Sequence, residues 1–115
     1  MRVGRRIGLI LAASIAIGIA PGSAGSTSSH RAPAHVYAAI KTTFGGYTEQ
    51  ALRVSWCESR YSTRARNGQY LGLFQMGSSE RRIFGHGDSA IAQARAAHRY
   101  FVASGRDWSP WSCKP

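Results

Sequence analysis

Two residues stand where their types and spacing could do chemistry. Glu58 lies in Cys-Glu-Ser-Arg at 57–60, and Gln75 closes Gly-Leu-Phe-Gln at 72–75, seventeen positions later. The chain has only five acidic residues against fifteen lysines and arginines, so an acid set in a mostly apolar and aromatic stretch stands out. Desolvation disfavours the charged form of a carboxyl group. An acid that keeps its proton near neutral pH can hand it to a departing oxygen, which is what protonation of a glycosidic oxygen requires.

The elements around these residues read as mostly helical. Val36, Tyr37, Ala39 and Ile40 suggest a short helix that Gly45-Gly46 ends. Thr48 is placed to cap a second helix, with Glu49 in its first turn where the helix dipole favours an anion. Ala51, Leu52, Ser55 and Trp56 fall on one face of that helix, which carries Cys57 and Glu58 near its C-terminal end. Asn67-Gly68 is a turn signal and predicts a small hairpin. Ser78 or Ser79 could cap a short helix through Ile83 and Phe84, broken by Gly85-His86-Gly87. Asp88 is placed to cap a longer helix with Ile91, Ala94, Ala97 or His98, and Phe101 as its buried stripe, stopped by Gly105. The tail, Trp108-Ser109-Pro110-Trp111-Ser112-Cys113, reads as extended and aromatic.

At 115 residues the chain holds one domain at most. It opens like an export signal: Arg2, Arg5 and Arg6, then fourteen uncharged apolar residues from Ile7 to Ala20, then Gly22-Ser23-Ala24. The apolar run is shorter than the roughly 20 residues of a membrane span, so residues 1–24 are expected to be cleaved rather than to anchor the chain. Residues 25–33 are rich in Ser, Gly and Pro and read as a flexible leader. The domain is then 34–115. Cys57 and Cys113 are the only cysteines. An even count in an oxidising compartment favours a disulfide over two free thiols, and two cysteines without histidines at fitting spacing make a poor zinc site. Such a bridge would contribute roughly 4 kcal/mol in the chain-entropy view.

Removing Arg2, Arg5 and Arg6 leaves twelve basic residues against five acids, a charge of +7. The basic residues are spread along the chain rather than packed in a run. An exported protein of this charge suits a polyanionic surface, such as a wall with acidic polymers. No nucleic-acid motif is present. A monomer without cofactor or metal is expected.

The region from about Ala34 to Cys113 resembles the lysozyme-like superfamily. It is most similar to the soluble-lytic-transglycosylase-type and resuscitation-promoting-factor-type domains that actinobacteria export. The matching elements are the helix ending in Trp56-Cys57-Glu58-Ser59-Arg60, the Ala65-x-Asn67-Gly68 turn, and Tyr70-Leu71-Gly72-Leu73-Phe74-Gln75. A later helix with Ala96-Ala97 and Tyr100, and the closing Trp-x-Pro-Trp-x-Cys, complete the pattern in order. The resemblance implies an α+β lysozyme-like fold with a short hairpin at the active-site cleft. It also implies a secreted, wall-associated enzyme that cleaves the β-1,4 bond between N-acetylmuramic acid and N-acetylglucosamine in peptidoglycan.

Carried over residue by residue, Glu58 matches the general acid/base and Gln75 the amide that touches sugar. Tyr70 and Phe74 flank the site, and Tyr100 matches a tyrosine aimed at the acid. The resemblance implies one catalytic carboxylate, with help from the substrate's own N-acetyl carbonyl. Glu80, Asp88 and Asp107 then read as helix-start and turn residues. One position departs: the family often has Asn where this chain has Gln93, a longer side chain that is still an amide.

The bland alternative for Glu58 is an exposed helix-end acid paired with Arg60 or Arg64. For Gln75 it is an amide satisfied by backbone. Three function classes follow: a transglycosylase, or a hydrolase that uses water; a wall-glycan-binding module without catalysis; and a basic antibacterial protein acting through charge.

Overall fold

The computed structural model describes residues 30–115. The expected signal segment, 1–24, and the start of the leader, 25–29, lie outside the described residues. Helix α1, Ala34–Phe44, begins at Pro33, whose carbonyl accepts from the N–H groups of Val36 and Tyr37. It buries Val36, Ala39, Ile40 and Phe44, the i, i+3, i+4, i+8 stripe of a helix with one face in a core. Gly45 ends it at φ 53°, a left-handed conformation that glycine adopts without a side-chain penalty.

A 3₁₀ turn, Gly45–Tyr47, runs straight into α2, Thr48–Ser59. Thr48 is therefore not the cap expected of it. Its backbone is already helical, and its hydroxyl donates back to the Gly45 carbonyl. Glu49 does sit in the first turn. Of the expected inner face, Ala51, Leu52 and Ser55 are buried. Trp56 is half-buried, with its ring 5.4 Å from that of Tyr61. Arg60, in the left-handed conformation, closes the helix.

The hairpin is small. β1, Arg66–Asn67, pairs antiparallel with β2, Tyr70–Leu71, in the register Arg66↔Leu71 and Asn67↔Tyr70. Gly68 turns it at φ 63°. Helix α3 follows, Ser78–Phe84, with Gly77 at its cap position.

Helix α4, Ala90–Ala103, is the long one. Its cap is Ser89 rather than Asp88. Ser89 has the extended backbone a cap needs, and its hydroxyl accepts from the Ala92 N–H at 3.2 Å. Ala94, Ala97 and Phe101 are buried as the stripe predicts, while Ile91 and His98 are only half-buried and Ala90, Gln93 and Ala96 are fully enclosed. The helix ends at Ser104, and Gly105 follows at φ 82°.

α1 packs mainly on α4, with α2 and α3 against this pair. Between them lies an aromatic interior. Phe44 stands 5.5 Å from Phe74, 5.6 Å from Phe101 and 5.6 Å from Trp108, centroid to centroid. The tail is folded into turns rather than extended, because both its indoles turn inward and are buried. The Trp108 N–H donates to Gln50 Oε1 at 2.8 Å, and the Trp111 N–H donates to the Phe74 carbonyl at 3.0 Å. Cys57 and Cys113 are joined in a disulfide, with Cα atoms 5.9 Å apart. The described chain is thus mainly helical, with one two-stranded hairpin and one disulfide. No helix among the described residues is long and apolar enough to cross a membrane.

Candidate active-site cleft

Three side chains hold residues 71–76 against the helices. The hydroxyls of Ser55 and Ser59, one turn apart on α2, both donate to the Leu73 carbonyl, at 3.0 and 2.8 Å. From α4, Gln93 Oε1 accepts from the Leu73 N–H at 2.9 Å. The Leu73 peptide is gripped from two helices, which fixes the loop relative to Glu58 near the end of α2. Gln93 also donates to the Thr63 and Gly87 carbonyls, at 3.0 and 2.9 Å, so its buried amide is fully used. The longer amide at this position keeps a structural role.

The loop 72–75 is closed by paired Leu71 and Met76 backbones, each N–H donating to the other's carbonyl at 3.1 Å. Gly72 lies at φ 86°, and a Cβ there would meet Gln93 Oε1 at 2.4 Å, so only glycine lets the two approach. At the loop's other end Gln75 adopts φ 47°. A non-glycine residue in this region stores about 1 kcal/mol or more of strain, a feature that gathers at functional sites.

These elements enclose a cleft of about 300 Å³. Glu58, Gln75, Tyr70 and Tyr100 all line it. Phe74, expected beside them, does not: its ring is buried to 1 % exposure in the aromatic interior. Leu73 and Phe74 are both buried in the interior, and the Phe74 ring stands 5.5 Å from that of Phe44.

Glu58 is half-buried. Its Oε2 accepts from the backbone N–H of Cys113 at 3.1 Å. The disulfide therefore places the donor for the acid it neighbours. Neither Arg60 nor Arg64 pairs with Glu58. The Arg60 guanidinium donates to the Trp56 carbonyl at 2.9 Å and lies 4.8 Å over the Trp56 ring. Gln75 uses its amide nitrogen on the Ala65 and Gly72 carbonyls, at 3.0 and 3.2 Å, so backbone does satisfy that half of the group. No protein donor among the described residues reaches its Oε1, which is left to accept from a ligand.

Tyr100 is held between Phe84 and Trp111, with centroids 5.1 and 4.9 Å away. Burial first, then the charge of Glu80 and the neighbouring Tyr70, push its phenol pKa up. It therefore stays a protonated hydroxyl, able to donate. Tyr70 is 45 % exposed and open to a partner.

Sequence reasoning missed one residue of consequence. Glu80, set aside as a first-turn helix acid, lines the same cleft as Glu58. Its only sequence signal is that α3 starts directly after the Gly-Leu-Phe-Gln loop, which puts the third residue of the helix beside that loop. Asp107 does serve a turn, accepting from the Ser109 N–H at 3.1 Å. Among the described residues no cluster of three or more His, Cys, Asp or Glu could hold a metal ion.

The cleft thus joins a carboxyl group with one open oxygen, an amide carbonyl, two phenols and a second carboxyl group, at the meeting of three helices, the hairpin and the tail. No family model, no curated protein and no solved structure matches this chain.

Proposed function

We propose that the protein is an exported lysozyme-like enzyme that cleaves the β-1,4 bond between N-acetylmuramic acid and N-acetylglucosamine in peptidoglycan, as a lytic transglycosylase. The observation that carries this is Glu58. It sits half-buried in a cleft beside Gln75, Tyr70 and Tyr100, with one carboxyl oxygen tied to the Cys113 N–H and no cation among the described residues paired with it. A structural helix-end acid in so basic a chain would have its pick of arginines.

In this reading Glu58 gives its proton to the glycosidic oxygen as the bond to C1 breaks, assisted by the substrate's own acetamido carbonyl. The resulting carboxylate then takes the proton of the muramic 6-hydroxyl as that oxygen closes on C1, leaving an anhydro sugar. Gln75 Oε1 accepts from a sugar hydroxyl, and Tyr70 offers a ring face to the glycan. The spread of exposed lysines and arginines draws the protein to anionic wall polymers without taking part in the cut.

The test is to incubate the purified protein and Glu58→Gln with peptidoglycan and to identify the soluble products by mass spectrometry. Anhydro-muramyl products from the wild type are expected, with the variant slower by about 10²–10⁴-fold, the usual contribution of a general acid. Undiminished cleavage by the variant would remove Glu58 from the mechanism. Reducing ends alone would make the enzyme a hydrolase that uses water. Wall binding by both proteins with no product from either would make it a binding module, and killing of bacteria that survives the substitution would point to action through charge.

A further inference from the structure

Glu80, in the first turn of α3, lines the cleft. Among the described residues it makes no hydrogen bond and no ion pair, although twelve lysines and arginines lie in the described region. Its chain neighbours are turned to other work. The Arg81 guanidinium donates to the Gln69 and Met76 carbonyls, and that of Arg82 to Ser79 Oγ. The space for Glu80 is kept by a glycine: a Cβ on Gly77 would meet Glu80 Oε1 at 2.6 Å, with Gln69 Oε1 and the Tyr70 ring close behind. So the chain clears room for a half-buried carboxylate in the cleft and gives it no hydrogen-bond or ion-pair partner among the described residues.

Both of its oxygens are free to accept from a group that arrives with the substrate. A neutral glycan carries no fixed cation, but cleavage with acetamido assistance creates one. Resting on the glycan-cleaving reading above, we propose that Glu80 positions the 2-acetamido group of the sugar being cleaved, accepting its amide N–H and stabilising the positive charge that the group acquires.

The step balances within the cleft. The acetamido carbonyl oxygen forms a bond to C1, the bond from C1 to the leaving oxygen breaks, and the Glu58 proton passes to that oxygen. The positive charge then resides on the five-membered oxazolinium ring, whose N–H faces Glu80. When a hydroxyl attacks C1 the ring reopens, and the hydroxyl proton goes to Glu58. Glu80 holds a hydrogen bond throughout and takes no proton. Its attraction to the cation exceeds its attraction to the neutral amide, so its effect falls on the transition state. Tyr100, a protonated hydroxyl in the same cleft, is a fitting donor for the other end of the amide.

The experiment compares wild type, Glu80→Gln and Glu80→Asp, each checked by its melting curve. Calorimetry measures two probes: an unmodified muramyl tetrasaccharide, and the thiazoline of N-acetylmuramic acid, a stable mimic of the cyclic intermediate. Rates are followed on soluble glycan strands, with and without azide. For Glu80→Gln we expect the tetrasaccharide to bind within about threefold of wild type, the thiazoline to bind at least tenfold more weakly, and kcat to fall on the order of 100-fold. Glu80→Asp, which keeps the charge, should recover part of the thiazoline affinity; it also serves if Glu80→Gln does not fold. Unchanged thiazoline affinity, or an unchanged rate, overturns the assignment while leaving Glu58 and the glycan reading intact. Azide rescue with a glycosyl azide product overturns it too, because Glu80 would then be a base acting on water. A wild type that neither binds nor cuts glycan sinks the underlying reading instead, and this shows before any variant is made.

Discussion

The aromatic interior and the cleft treat polar atoms in opposite ways. In the interior every buried polar side chain among the described residues is spent on the fold. Gln93 answers three backbone groups, and Ser55 and Ser59 converge on one carbonyl. Both tail indoles find acceptors. In the cleft the polar atoms are held in place but left with spare capacity. Gln75 commits its nitrogen and keeps its oxygen, Glu58 commits one oxygen and keeps the other, and Glu80 commits neither. The two glutamines lie only eighteen positions apart in sequence, yet one is a strut and the other a hand. The difference teaches where the chain accepts unsatisfied groups in exchange for something other than stability.

The largest way to break this contrast is through the tail, which serves both regions. Reduction of Cys57–Cys113, or a double Cys→Ser variant, should cost roughly 4 kcal/mol for a loop of this length. In a domain of this size that lowers the melting temperature by roughly 15 °C or more. Below the transition the indoles should keep the interior closed, as near-UV dichroism would report, while cleavage falls because the Cys113 N–H no longer anchors Glu58. A melting curve unchanged by reductant would refute the staple, and an unchanged rate would refute the anchor.

A finer cut exchanges the glutamines themselves. Gln93→Leu strands the Leu73 N–H and the carbonyls of Thr63 and Gly87, and should cost about 3 kcal/mol in denaturant unfolding. Gln75→Leu should cost under about 1 kcal/mol and show itself in substrate affinity. Equal effects of the two on stability would erase the distinction between strut and hand.

The smallest effect sharpens the interior alone. His98 packs edge-on against Phe44 at 5.0 Å, and burial, then Arg106, hold its pKa below the ordinary histidine value. Burial and Arg81 lower that of His86, with Asp88 opposing. Both rings prefer to be neutral in the folded state, so their contribution is fully present above the unfolded value of about 6.5 and is lost as pH falls through the depressed folded values. Melting temperature should therefore decline from pH 7 towards pH 5, and His98→Gln should flatten part of the slope. A slope untouched by the substitution would place the acid sensitivity elsewhere.

The helices and the hairpin were legible in the sequence, because apolar spacing and glycine breaks are local signals. The caps were misplaced by one residue in both helices for which a single cap was named. Thr48 lost its role to a 3₁₀ turn that runs into α2, and Asp88 lost its role to Ser89, whose backbone is the extended one. Of the residues that line the cleft, Glu58, Gln75, Tyr70 and Tyr100 could be named because their motifs carry them. Phe74 and Glu80 could not be sorted. Which way a loop ring points, and which groove the first turn of α3 borders, depend on the grip of Ser55, Ser59 and Gln93 on Leu73, and that grip spans up to twenty positions. The tail reads as extended because nothing local says that two tryptophans will find acceptors in α2 and in the loop.

The close approach of Gly72 to Gln93 has a consequence for lineage. With 2.4 Å between an imagined Cβ and the amide oxygen, position 72 cannot take a side chain while Gln93 keeps its place. A side chain at 72 demands a shorter reach from 93, and a shorter amide at 93 demands that the loop come nearer. In related chains a side chain at 72 is therefore expected only together with a change at 93. Kinship with this chain will therefore show in paired changes sooner than in any residue counted singly.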